Sequence, residues 1–130
     1  MKILVGYDES QAAQEALKLS VVHAQKLQAS VFVITSLVGG SKEDLKAHRD
    51  AENGLKYAEG VLQKENIPCE THLLVRGLSS GEDIVRVAHE NEVDEIIIGI
   101  KKTSKVGKLV FGSTAQYVTL EAECPVVTVR

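Results

Sequence analysis

The stretch GIKKTSKVGKLVFGSTAQYV, residues 99–118, gathers the groups in this chain best suited to meeting a phosphate. It holds Gly99, Gly107 and Gly112, lysines at 101, 102, 105 and 108, and the pair Ser113-Thr114. If a helix begins at Ser113, the backbone N–H groups of Gly112, Ser113 and Thr114 stand at its positive end with no carbonyl partner one turn back. Such a terminus favours an anion. The Ser113 and Thr114 hydroxyls add donors, and the lysines add charge. The same residues also read more plainly, as a glycine at a strand exit, a solvated loop, and Ser113 as an ordinary N-cap.

Other chemistries are excluded by spacing. In a Walker A loop, glycine stands five positions before the Gly-Lys pair and Ser or Thr follows it; around Gly107-Lys108 those places hold Lys102 and Leu109. No G-x-G-x-x-G follows the first strand. His23, His48, His72 and His89 form no i, i+4 metal pair and read as surface or hydrogen-bonded histidines. Gly112-Ser113 lacks the flanks of a hydrolase nucleophile elbow. A phosphoacceptor domain would need an Asp where the chain has Arg76-Gly77, and an FMN site would need a Ser/Thr/Gly-rich loop in place of Asp8-Glu9-Ser10-Gln11. Tyr7, Phe32, Tyr57, Phe111 and Tyr117 are too scattered to stack single-stranded bases.

The elements that must position the glycine- and lysine-rich segment follow from periodicity. Lys2 to Val5 is a short apolar strand, after which Asp8-Glu9-Ser10 supplies turn and capping residues. Ala13, Ala16, Leu17, Val21, Ala24 and Leu27 then recur at helical spacing. Ser30 to Leu37 is a β-branched strand. Ser41 with Asp44 opens a long helix, whose buried face is Leu45, Ala51, Leu55, Ala58 and Leu62 and which Asn66 and Pro68 stop. Glu70 to Arg76 is the third strand. Ser79 or Ser80 caps the next helix, with Glu82 and Asp83 in its first turn and Ile84, Val87 and Ala88 facing inward. Val93 to Ile100 contains the run Ile96-Ile97-Ile98, as expected of a parallel strand covered on both faces. A helix over Ser113 to Ala122 and a strand from Pro125 to Val129 close the chain.

This β-α alternation without a hairpin signal forces crossover connections. The expected fold is a single α/β domain with a parallel sheet and helices on both faces. Such sheets take ligands at the carboxyl ends of their strands where strand order reverses, here expected between strands 1 and 4.

A length of 130 residues suits one domain, enough to bury roughly two thirds of the unfolded surface. The net charge of -3 argues against nucleic acid as a partner. No apolar run is long enough to cross a bilayer. The first segment, MKILVGYDES, is too short for a signal-peptide core, so the expectation is a cytoplasmic chain in which Cys69 and Cys124, which lack C-x-x-C spacing, are reduced, buried small hydrophobes.

Asp8 after the first strand, the Gly99 to Ser113 segment and the closing Cys-Pro-Val-Val-Thr-Val strand together resemble the universal stress protein family, over essentially the whole chain. The resemblance implies a five-stranded sheet of order 3-2-1-4-5. It also implies binding of ATP, or AMP or ADP, with Mg2+ held mainly by the phosphates, in those members that keep the motif Gly-x2-Gly-x9-Gly-Ser/Thr. Gly99, Gly112 and Ser113 match that motif; Lys102 stands where its second glycine belongs. Glycine there lets backbone approach a phosphate, whereas lysine blocks the approach or contributes its own charge. The likeness further implies Asp8 near the ribose or metal, Tyr7 and Ser36 near the base, Ile98 and Lys101 at the strand-4 edge, and Thr114 beside the phosphates. Asp8 equally reads as the cap of the first helix. The implied role is a regulatory module in the stress response, dimeric through Pro125 to Val129, where similar proteins pair. The alternative is a member that has lost the nucleotide and acts through protein contacts. A third option, slow ATP hydrolysis or self-phosphorylation at Ser113 or Thr114, lacks a positioned general base, so a binding role without catalysis is the expectation.

Overall fold

The computed structural model describes residues 1–37, 45–75, 77–100 and 112–130. Strands β1 (Lys2–Gly6), β2 (Ser30–Ser36), β3 (Cys69–Leu74), β4 (Glu95–Gly99) and β5 (Val126–Val129) alternate with helices α1 (Gln11–Leu27), α2 (Leu45–Lys64), α3 (Ser80–Glu90) and α4 (Ser113–Glu121). All neighbouring strands pair in parallel, in the order β3-β2-β1-β4-β5. The expected sheet is therefore the observed one, and strand order reverses between β1 and β4.

Alternation along each strand divides the core into two layers. Ile3, Val5, Val31, Val33 and Ile97 pack against Ala13, Ala16 and Leu17 of α1 and Leu55, Ala58 and Leu62 of α2. On the other face Leu4, Phe32, Ile34, Ile96 and Ile98 meet Ile84, Val87 and Ala88 of α3 and Ala115 and Val118 of α4. Because the central strands are covered on both sides, every residue of the Ile96-Ile97-Ile98 run is buried.

Several boundaries differ from the sequence reading by one or two residues. β1 extends to Gly6, β2 stops at Ser36, β3 covers Cys69–Leu74, and β4 begins at Glu95. Two apolar residues assigned to buried faces are exposed: Leu27 at 46% and Leu45 at 67%. Leu27 is the last residue of α1 and Leu45 the first of α2. Cys69 and Cys124 are free thiols but only half-buried. The proposed cap at Ser41 lies outside the described residues, as does Arg76.

Helix starts are secured locally. Ser10 is the N-cap of α1, its hydroxyl accepting from Ala13 N at 3.1 Å. Ser79 caps α3 in a reciprocal box with Glu82. α4 begins differently: its N-cap is Gly112, which has no side chain to accept from the first turn.

Candidate functional site

A cleft of about 590 Å³ opens over the carboxyl ends of β1, β2 and β4. Its floor is Gly6, Ile98 and Gly99; one wall carries Ala13, Asp50 and Ala51 from α1 and α2, and the other carries Ser80 and Ile84 from α3. Gly112, Ser113, Thr114 and Ala115 bring the start of α4 to the same space. This is the crevice that a doubly wound sheet leaves at its switch point, since α1, which follows β1, and α4, which follows β4, pack on opposite faces.

The β1–α1 connection is built tightly. Asp8 Oδ1 accepts from Ser10 N at 3.0 Å, closing a turn through Glu9, which takes a left-handed conformation with φ of 65°. Ser10 thus caps the helix, and Asp8 serves the turn before it, correcting the reading of Asp8 as the cap. Asp8 is exposed at the cleft mouth. The Glu9 side chain lies over Gly54 of α2, in space that a Cβ there would occupy.

Tyr7 is only 4% exposed and belongs to the core layer beneath α1 and α2, while still lining the cleft. Its carbonyl accepts from Thr35 Oγ1 at 2.7 Å, and its N–H donates to Ile34 O, so the ends of β1 and β2 are tied together. Burial pushes the Tyr7 phenol above its ordinary pKa, and negative charge at Glu9 pushes it the same way.

The glycines of the segment serve different needs. A Cβ on Gly99 would fall 2.5 Å from the Ala12 carbonyl carbon, so this glycine admits α1 against β4. A Cβ on Gly112 would meet nothing within 4 Å among the described residues, and its φ of -66° suits any residue. Packing makes no demand for glycine there. What glycine does provide is an uncapped start: the first helical bond runs from Gln116 N to Gly112 O, leaving the N–H groups of Ser113, Thr114 and Ala115 ahead of it.

Of the residues proposed from sequence, Tyr7, Asp8, Ser36, Ile98, Gly99, Gly112, Ser113 and Thr114 all line this one cleft. Lys101 and Lys102 lie outside the described residues. Sequence reasoning missed the α3 contribution. Ser36 Oγ donates to Asp83 Oδ2 at 2.5 Å, and Ser80 Oγ donates to Ser36 O at 3.4 Å. Asp83 read as an ordinary first-turn acid, and no local signal announces that it is fully buried. Among the described residues no cluster of three or more His, Cys, Asp or Glu side chains is arranged to hold a metal. Each histidine approaches one glutamate: His23–Glu95 at 2.6 Å, His48–Glu52 at 3.4 Å, His72–Glu70 at 3.7 Å and His89–Glu123 at 3.1 Å.

A doubly wound parallel α/β domain with its cleft at the β1/β4 switch point is the class these features define. Within it, the model of the universal stress protein family matches residues 1–130. A universal stress protein structure from Archaeoglobus fulgidus superposes with a TM-score of 0.91 at 37% identity, covering 100% of this chain and 98% of that one. The universal stress protein from Archaeoglobus fulgidus in complex with dAMP gives 0.83 at 34% identity, with 100% and 98% covered. A Thermus aquaticus relative, the universal stress protein in the QAH/OAS sulfhydrylase 3′ region, is 30% identical over 134 residues, 98% of this chain and 97% of the relative. The chain belongs to the universal stress protein family. No helix among the described residues is long and apolar enough to cross a membrane.

Proposed function

We propose that this chain binds an adenine nucleotide in the cleft over β1 and β4 and works as a regulatory module in the stress response. The observation that carries the proposal is the uncapped start of α4. Ser113, Thr114 and Ala115 present first-turn N–H groups to the cleft, and Gly112 leaves open the space that a capping side chain would fill. A phosphate supplies the acceptors.

Asp8, Glu9 and Asp50 line the cleft with negative charge, and the sequence joining Ile100 to Gly112 contains Lys101, Lys102, Lys105 and Lys108, which are proposed as the cations that offset it and the phosphate. ATP is the leading ligand, with Mg2+ held mainly by its phosphates. The relative solved with dAMP supports an adenine base. Two free thiols suit a reducing cytoplasm. Calorimetric titration tests the proposal: saturable heat with ATP and Mg2+, or with AMP or ADP, supports it. Neither heat nor thermal shift at millimolar nucleotide removes it.

Lys102, in the place of the motif's second glycine, favours a second reading in which nucleotide binding is lost and the protein acts through protein contacts. Lys102→Gly separates the two, because binding by the revertant alone selects this second reading. Either form is proposed to be a homodimer. β5 is an edge strand; the Pro125 carbonyl just before it accepts from Ile96 N of β4 and its Val129 carbonyl accepts from Ile100 N just past β4, leaving Val126 and Thr128 to direct their backbone groups outward.

A further inference from the structure

Ser36 ends β2 with its side chain on the α3 face, two residues after Ile34, which packs on that same face. There it meets Asp83. A carboxylate can only accept, so the hydroxyl proton of Ser36 is committed to Asp83 Oδ2. What remains on Ser36 Oγ is lone pairs. The backbone around it is fixed as well: Ser80 Oγ donates to Ser36 O, Leu37 N donates to Leu74 O at 2.8 Å, and Thr35 is tied to Tyr7.

We infer that Asp83 sets the polarity of Ser36, so that the cleft accepts a purine carrying an amino group at position 6 and rejects one carrying a carbonyl oxygen there. The inference deepens the nucleotide reading and rests on it. With phosphate at the start of α4, beside β4, the base extends across β1 toward β2. β4 and β2 are two strand spacings apart, about 10 Å, a span comparable to a nucleoside monophosphate from phosphorus to the far edge of its base. Ser36 then faces that edge. A 6-amino group donates to the Ser36 lone pairs, whereas a 6-oxo group sets lone pair against lone pair and leaves two acceptors unmatched. Asp83 touches no ligand in this scheme and is a positioning residue.

AMP and IMP share phosphate and sugar, so their affinities isolate the base. The natural protein is expected to favour AMP by about tenfold or more in calorimetric titration. Ser36→Ala is expected to weaken AMP about tenfold while sparing IMP, bringing the ratio near one, and Ser36→Thr to restore it. Asp83→Asn offers an amide N–H to the hydroxyl, which then turns its proton outward and shifts the ratio toward IMP. Should that variant fail to fold by circular dichroism, the Ala and Thr variants at Ser36 decide alone. Equal binding of AMP and IMP by the natural protein, or an undiminished preference in Ser36→Ala, overturns the inference and leaves nucleotide binding standing. Binding of neither nucleotide overturns both.

Discussion

Gly99 faces the backbone of Ala12 so closely that a methyl group on it would sit 2.5 Å from the Ala12 carbonyl carbon and 2.6 Å from its oxygen. These are backbone atoms in the first turn of α1 and cannot swing aside. Gly99→Ala is therefore expected to push α1 off β4 and cost about 1–3 kcal/mol, lowering Tm by roughly 5–10 °C. Thermal unfolding followed by circular dichroism measures this; an unchanged Tm refutes the packing account.

Gly112 behaves in the opposite sense. Its backbone is compatible with any residue and no described residue lies within 4 Å of a Cβ there, so Gly112→Asp gives α4 a side-chain cap and is expected to hold or raise stability by a few tenths of a kcal/mol. The new carboxylate occupies the donors offered to phosphate and adds repulsion. Nucleotide affinity is expected to fall at least about tenfold. Unimpaired binding in this variant contradicts the placing of phosphate at α4.

Ser79 satisfies donors reciprocally with Glu82, its hydroxyl accepting from Glu82 N at 3.2 Å while Glu82 Oε1 accepts from Ser79 N at 3.3 Å. Ser79→Ala is expected to cost about 1 kcal/mol. Denaturant unfolding reads the loss as a lower midpoint with the slope unchanged.

Burial is the main reason that the Tyr7 phenol titrates above its ordinary value of 10.0. The folded protein holds this proton more tightly than the unfolded chain. Its contribution to stability is therefore intact below about pH 10 and is lost as pH rises through the raised folded value. Tyr7→Phe removes that ionisation. The variant's Tm is expected to decline less steeply above pH 10 than that of the natural protein, and identical alkaline slopes tell against the burial of this phenol.

Thr128 is exposed on β5, and its N–H points away from β4. Thr128→Pro deletes an outward donor and spares the inward ladder, as edge strands tolerate. Light scattering is expected to show twice the 14.1 kDa chain mass for the natural protein and the single mass for the variant. A monomeric natural protein at micromolar concentration excludes the dimer.

Element order and the parallel sheet were legible because apolar runs and helical stripes are long-range patterns that survive local ambiguity. Details at helix ends were less so. Asp8, Glu9 and Ser10 are three consecutive residues suited to a turn or cap, and the left-handed backbone of Glu9 settles which one caps. Leu27 and Leu45 keep the apolar spacing of their helices but are the terminal residues of those helices and are exposed. In the site, Gly112, Ser113 and Thr114 were legible from local spacing and Tyr7, Asp8 and Ser36 from the family resemblance, whereas the Ser36–Asp83 pair, 47 positions apart, depends on the crossing of β2 and α3 and leaves no local trace.

The two outer glycines of the segment also imply different evolutionary fates. A lineage that abandoned its nucleotide would still be bound to keep Gly99, because losing it disturbs the scaffold whatever the protein is used for. Gly112 would be released to drift, and toward Ser, Asp or Asn, since each secures the helix better than glycine does. Divergence confined to the second of these positions would thus record when a branch of the family stopped binding its ligand, while its architecture stayed the same.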